Sequence, residues 1–452
     1  MTLNENMKNF YIKMLRVGIP IVFQNLISLG LNLVDTLMIG MLGENELAAV
    51  GAANQVYFIF TVSLFGLYSG AAVFTAQFWG ARDIKGVQKM LGFDYAVGFV
   101  FSIAVSALAF IFAPNIIDIF TDDSAVVDLG VSYIRIASIS YTFSAMTFAV
   151  AYNSRAIQNL VVPTTINACA LGVNAILNYI FIFGKLGFPA MGVKGAAVAT
   201  LTARILEFSA MMIFIYTRKE HPFKTNLRNL FGFNRAMFTK VMKTAMPVVM
   251  TECCWAVSVA LIFAAYGMLG TSALAVAQVS NVISELTQSI YFGVGNATAM
   301  IIGEVLGQGN KDLAYRYGKS SIRIVMFLNV IMTVFMIAIA SPVAGIYNFN
   351  ASTTELLIKA IMVMGIMLTP RMLGYIYLVG ILRAGGDTVF SMIVELVCNV
   401  LVNLPLAYFS VLVLHVDLPV AIMIVECGNI VRIIASHYRY KSKKWINIVT
   451  TD

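Results

Sequence analysis

The chain has 452 residues, 60% of them hydrophobic and 12% charged, with a mean hydropathy of +0.84 and a net charge of +8. Soluble domains are roughly 45–50% apolar and about 25% charged, and burial saturates as a domain grows, so a water-soluble enzyme or scaffold is excluded and lipid is the natural solvent. One helix needs about 20 apolar residues to cross roughly 30 Å of hydrocarbon, which leaves room for about a dozen spans.

Lys8, Lys13 and Arg16 precede the first apolar run. That run is too long for a signal sequence and has no cleavage site at the expected distance, so it reads as a retained first span. Apolar runs predict spans over 17–40, 47–79, 90–113, 130–156, 163–183 and 195–217. A second set follows over 241–268, 272–306, 319–345, 356–380, 388–414 and 418–438. Between the sets lies the one long connection, RKEHPFKTNLRNLFGFNR, polar and basic and near the midpoint. The expected organisation is an N-terminal lobe at 1–217, a cytoplasmic basic linker at 218–240, and a C-terminal lobe at 241–452 with a basic tail.

Lysine and arginine placement sets the orientation. With the N-terminus cytoplasmic, the inside segments hold Lys8, Lys13, Arg16; Arg82, Lys85, Lys89; Arg155; Arg218 through Lys243; Lys311, Arg316, Lys319, Arg323; Arg383; and Arg432 through Lys444. The outside segments hold Arg135, Lys185, Lys194 and Lys359, with acids such as Asp118, Asp122, Asp123 and Asp128. Both termini are then cytoplasmic. The pI of about 9.1 reflects this topology and anionic lipid at the inner leaflet, not nucleic-acid binding.

One constant shift in numbering aligns the first two spans with the seventh and eighth without a gap. It places Pro20 on Pro247, Gly40-Met41-Leu42-Gly43 on Gly267-Met268-Leu269-Gly270, Asn54 on Asn281, and Gly80 on Gly307. One step further along, Arg155-Ala156 matches Arg383-Ala384, and after another step Asn174, Leu177 and Tyr179 match Asn403, Leu406 and Tyr408. Both copies start inside after an even number of spans, so they are parallel repeats, a recurrent plan of secondary transporters.

Enzyme motifs are missing: no phosphate-binding G-x-x-x-x-G-K-[ST], no HExxH and no GxSxG. Cys169, Cys253, Cys254, Cys398 and Cys427 lie in apolar segments without metal-ligand spacing or a disulfide pattern. His221, His415 and His437 fall at loops or span ends. No cofactor is expected.

Ionisable residues inside spans cost roughly 2.5–3.5 kcal/mol each on insertion scales and so mark cavities and ion paths. Asp35 in span 1 reads as a cation- or proton-binding carboxylate. Asn167, Asn174 and Asn178 share one face of span 5; their oxygens suit a partly dehydrated cation and equally suit plain interhelical hydrogen bonds. The second lobe offers Glu252 in span 7, then Gln278, Asn281, Glu285 and Gln288 along span 8, and Glu395, Asn399 and Asn403 along span 11. Arg371 is taken as the only interior cation against three acids, so surplus negative charge awaits protons or cationic cargo. Pairing of Arg371 with one of those glutamates is the plainer alternative. Arg204 and Glu207, one helical turn apart in span 6, are expected to pair with each other.

The stretches VDTLMIGMLGENELAAVGAANQV (Val34–Val56), Arg383–Thr388 and NAILNYIFIFGKLGFPAMGVKGAAVAT (Asn174–Thr200) resemble the MATE family, the multidrug and toxic compound extrusion transporters of bacterial type. The resemblance covers essentially the whole chain. It implies an all-α membrane protein of twelve spans, two pseudo-symmetric six-helix lobes forming a V, alternating access, and export of cationic amphiphiles against Na+ or H+. It implies that Asp35 occupies the ion-coupling carboxylate position and that Asn174 and Asn178 line the same cavity, although some members carry Asp where Asn178 stands. Glu252 lies near the family's functional span 7 acid, while the span 10 aspartate of one sodium-coupled branch has no counterpart, since Leu368 to Gly380 holds Arg371 and no acid. Na+ and H+ therefore both stay open.

The expected protein is a drug efflux antiporter in a bacterial inner membrane, working as a monomer on small cationic or amphiphilic molecules, with ion coupling at Asp35, Asn174 and Asn178. Residues expected to contact cargo or carry protons are Glu252, Glu285, Gln278, Asn281, Arg371, Glu395 and Asn399. A lipid-linked precursor flippase of related fold is the rival; it calls for a cationic cavity, against an interior read here as net acidic.

Overall fold

In the computed structural model, residues 3–218, 220–347 and 349–450 are described, so Lys219 of the basic connection lies outside them. The described chain is helical, with no strand among those residues. Helix is what lipid demands, since every backbone N–H and C=O must be satisfied within its own segment. The first six long helices are α1 (Leu3–Gly40), α2 (Glu44–Gly80), α3 (Ile84–Ile111), α4 (Ser124–Ala137 and, after a 48° bend, Ser140–Ala156), α5 (Val161–Phe183) and α6 (Gly192–Thr217). The other six are α7 (Arg235–Gly267), α8 (Thr271–Gly307), α9 (Lys311–Ala344), α10 (Ala351–Gly385), α11 (Thr388–Leu412) and α12 (Leu418–Lys441). Eleven are long and apolar enough to cross a membrane singly, and the bent pair α4 makes up to twelve. Their outward faces carry large apolar side chains, such as Phe327, Val330 and Val334 on α9, at 62–67% exposure, as lipid contact requires.

Serines set the bend in α4. Ser138 Oγ and Ser140 Oγ donate back to the Arg135 and Ala137 carbonyls at 3.2 and 2.6 Å, while Ser106 Oγ takes the Ser138 carbonyl at 2.7 Å. Such back-bonding loosens a helix locally. In α11, Pro405 has no N–H for the Leu401 carbonyl. The turn widens into a π-helix over Val397–Asn403, and the Leu404 N–H reaches the Asn399 carbonyl.

Helix α1 starts well before the predicted span, at Leu3, because Phe10, Met14, Val17 and Ile21 form a buried stripe along one face. Helix α10 runs past its predicted end at 380, to Gly385, and carries Arg383 into the interior.

By internal contacts the chain divides into two compact units. Unit 1 is Met1–Val22, Ala76–Ala81 and Lys243–Asp452; unit 2 is Phe23–Thr75 and Arg82–Met242. The partition differs from the sequence boundary at 217–241, because the first half of α1 and the last turn and a half of α2 group with the later helices. Within unit 1, Lys13 pairs with Glu304 at 2.7 Å and the Tyr317 hydroxyl donates to the Asn6 carbonyl at 3.0 Å. The tail is fixed in the same unit. Trp445 is fully buried, Asn447 Nδ2 donates to the Gly385 carbonyl at 3.1 Å, and the Val449 N–H donates to Gln77 Oε1 at 2.7 Å.

The repeat is visible in the backbone. Asp83 and Asn310 cap α3 and α9, and Asp123 and Asn350 cap α4 and α10; each pair is related by the shift that carries Pro20 onto Pro247. Left-handed residues recur at that shift and at the two later steps of the repeat: Arg82 (φ 59°) with Gly309 (φ 79°), then Gln158 (φ 59°) with Gly386 (φ 74°) and Leu186 (φ 55°) with His415 (φ 48°). A Cβ on Gly80 would strike the Glu304 carbonyl, and one on Gly307 would strike that of Gln77. Those two contacts are images of each other under the repeat, a close helix crossing that small residues permit.

Candidate functional site

Unit 2 encloses a cavity of about 350 Å³ lined by residues of α1, α2, α4, α5 and α6. Its floor is Asp35. Asn178 Nδ2 donates to Asp35 Oδ1 at 2.9 Å. With the Asn174 carboxamide turned so that its oxygen accepts the Thr200 N–H at 3.2 Å, its nitrogen donates to Asp35 Oδ2 at 3.0 Å; an amide's orientation is assigned from its partners. The step of four between Asn174 and Asn178 puts both on the face of α5 that meets α1. The structure thus brings together the three residues that the sequence singled out for ion coupling.

Charge in this cavity is unbalanced. Its lining holds Asp35 and Arg204, but Arg204 is committed to Glu207 at 2.6 Å, the pairing expected from their spacing. Asn167 Nδ2 also donates to Glu207 at 2.7 Å, Gln24 Nε2 to Asn167 at 3.3 Å, and Arg155 Nη2 to Gln24 at 3.0 Å. Asp35 has no ion-pair partner among the described residues, and Asn178 Oδ1 beside it is buried with no donor in contact. A carboxylate next to an unfilled carboxamide oxygen is a donor set for a hard cation or a proton. Among the described residues no three His, Cys, Asp or Glu side chains gather to hold a metal. Tyr133, whose hydroxyl donates to Asn54 Oδ1 at 3.4 Å, completes the polar wall; neither residue was singled out from the sequence for this site, and only their helical phase could have suggested it.

The second lobe's acids fare differently, and one expectation is corrected. Arg371 is not the only interior cation. Arg383 pairs with Glu252 at 2.9 Å and Arg432 with Glu395 at 2.8 Å, both arginines buried. The sequence had counted them with the cytoplasmic basic groups, but α10 extends past 380 and carries Arg383 inward, and Arg432 sits within the twelfth span itself. Arg371 itself faces Glu426 at 3.5 Å, an acid not considered before, and Asn429 Nδ2 donates to Glu426 at 2.7 Å. Two of the three acids behind the expected surplus, Glu252 and Glu395, are therefore neutralised. Asn399 joins the Glu395–Arg432 pair, donating to Glu395 at 3.0 Å and accepting from Arg432 at 3.0 Å. Gln278 and Glu285 lie on an exposed face of α8, where Asn281 Nδ2 donates to Glu285 at 3.0 Å; they do not join the arginine pairs.

The sequence profile described as MatE matches residues 20–180 and 247–409, most of the chain in two pieces. The two pieces start at equivalent positions of the internal repeat, Pro20 and Pro247, and run to closely equivalent ends. The chain is 25% identical over 417 residues to an uncharacterized transporter of Bacillus subtilis, YisQ, covering 91% of this chain and 90% of that one. It is 22% identical over 407 residues to the probable multidrug resistance protein NorM of Thermotoga maritima, covering 88% and 85%. Among solved structures, that of MATE in complex with MaL6 superposes with a TM-score of 0.87 at 19% identity over 96% of both chains, a likeness of fold.

Proposed function

The chain belongs to the MatE family of membrane transporters, and on that premise we propose that it is a secondary active exporter of amphiphilic organic cations, driven by entry of Na+ or H+ at Asp35. The observation that carries this reading is the Asp35 carboxylate, tied by two carboxamides and facing a cavity of about 350 Å³ whose lining arginine, Arg204, is paired with Glu207. An ion arriving from outside neutralises Asp35. A proton on one oxygen removes an acceptor and a metal ion competes for it, so a tie between α1 and α5 weakens and their packing changes. Release of the ion to the cytoplasm restores both ties. Because linkage is reciprocal, cargo must lower ion affinity by the factor by which the ion lowers cargo affinity. The drug cargo draws support from the names of relatives such as NorM. Preference over lipid-linked precursors rests on those names and no longer on an acidic C-terminal lobe. In this reading the protein sits in a bacterial inner membrane as a monomer, with the 218–240 linker and both termini cytoplasmic, and the lobes at 1–217 and 241–452 do the moving.

Proteoliposomes under separately imposed Na+ and H+ gradients test it. One gradient should drive accumulation of an organic cation, and Asp35→Asn vesicles should accumulate no more than protein-free ones. Asp35→Asn vesicles that concentrate the cation as well as the parent would end the proposal.

A further inference from the structure

Unit 1 contains a second cavity, of about 90 Å³, built at the positions that the repeat makes equivalent to those of the first. Asn54 of the larger cavity corresponds to Asn281 of the smaller, and Asn174 to Asn403. Asp35 corresponds to Ile262, while Phe263 and Tyr266 take the places of Thr36 and Ile39 and shrink the space. The smaller cavity has no acid at the Asp35 position; its charged lining is two guanidinium groups, Arg371 and Arg432, against one carboxylate, Glu426.

Neither guanidinium is saturated by its acid. Arg371 faces Glu426 only loosely, at 3.5 Å, leaving most of its N–H donors free of short partners. Arg432 gives Nη2 to Glu395 and Asn399, yet its Nε is buried with no acceptor in contact, in a residue 8% exposed. A buried charged donor left unmet is costly, so one on a residue that lines a cavity points to a missing acceptor. We propose that this cavity is an anion site in which Arg371 and Arg432 together hold a carboxylate, either of a small free anion or of the acidic end of an amphiphilic cargo. The planar fork of arginine matches a carboxylate's two oxygens. The volume admits about three water-sized groups at roughly 30 Å³ each, enough for a carboxylate and a water. The water supplies a donor for Asn403 Oδ1, the other buried polar atom of this wall without a partner. Ion coupling at Asp35 is not a premise here, so the two proposals stand or fall separately.

Trp255 lines the cavity and reports on it. The purified full-length protein, in chloride-free buffer at constant Na+ and with no gradient, is titrated with acetate and, as a size control too large for the space, with gluconate. Acetate should change tryptophan fluorescence saturably, gluconate should not, and the saturable part should vanish in Trp255→Phe. Arg371→Gln should raise the half-saturating concentration roughly tenfold or more, the loss of one charge-assisted contact. Arg432→Gln alone strands Glu395, so the charge-neutral pair Arg432→Gln with Glu395→Gln is used, and it should abolish saturation. A carboxylic-acid amphiphile that competes with acetate while its methyl ester does not assigns the site to cargo; an acid that fails to compete assigns it to free anions. Equal, non-saturating responses to acetate and gluconate, or an unchanged titration in Arg371→Gln, would overturn the anion site.

Discussion

The two polar interiors descend from one duplicated plan and have drifted to opposite chemistry. Arg155 and Arg383 are images of each other in the repeat, but the side chains they hold, Gln24 and Glu252, lie one residue out of register, Glu252 being the image of Asn25. One copy keeps a neutral amide under its arginine and leaves a carboxylate, Asp35, without a cation. The other pairs each buried acid with an arginine and has Ile262 where Asp35 would stand. Backbone features survived this drift better than side chains did. The same two caps and the same three left-handed turns recur with Asp exchanged for Asn, or Arg for Gly. A duplicated membrane unit thus retains its helix boundaries while the charges inside it are free to be reassigned.

The largest test of that contrast is to remove the matching arginines. Arg383→Leu leaves Glu252 buried and unpaired, which costs roughly 3–5 kcal/mol, and thermal unfolding in detergent should fall by many degrees. Adding Glu252→Gln should recover much of the loss. Arg155→Leu strands only a carboxamide and should cost less, about 1.5–3 kcal/mol for a hydrogen bond from a charged group. Equal losses at the two sites would erase the distinction.

Smaller effects test the inherited turns. A Cβ on Gly309 meets open space, so Gly309→Ala pays only for its positive φ, about 1–2 kcal/mol. Arg82 already bears that strain, and Arg82→Gly should raise the melting temperature by less than Gly309→Ala lowers it, since glycine also gains freedom in the unfolded chain. Opposite signs at the two positions sharpen the comparison, and the same sign breaks it.

The smallest effect belongs to the connection between the copies, which has no counterpart. Burial, and then the neighbouring Arg218, hold the His221 imidazole below its ordinary value of 6.5, and its Nδ1 accepts the Phe223 N–H at 3.2 Å. The folded state thus binds that proton less readily than the unfolded one. Stability is complete above pH 6.5 and declines as pH falls from there toward the folded-state value. The melting temperature should drop slightly across that window, and His221→Gln should flatten the drop.

Span number and duplication were legible in the sequence because lipid imposes long apolar runs and because Pro20, Gly40, Asn54 and Gly80 keep register with their images. Asp35, Asn174 and Asn178 were legible for a related reason: polar residues in such runs are rare, and helical spacing alone puts the asparagines on one face. Arg383 was hidden because the predicted span stopped at 380, although the helix continues to Gly385. Arg432 was hidden by the basic cluster that follows it, which merged a buried residue with solvated neighbours. The equivalence of Asp83 and Asn310 stood in the sequence throughout, but a cap is recognised only once the helix start is known.

Unit 1 also draws on both ends of the described chain, and this sets an order on its assembly. Lys13 and Glu304 are 291 residues apart, so at about 5–20 residues per second the ribosome takes roughly a quarter of a minute to a minute between them. Through that interval the first turns of α1 are in or at the membrane without their final partners, while unit 2 is being made. A factor that shelters nascent membrane helices would meet an exposed client there, in a segment made long before the residues it packs against.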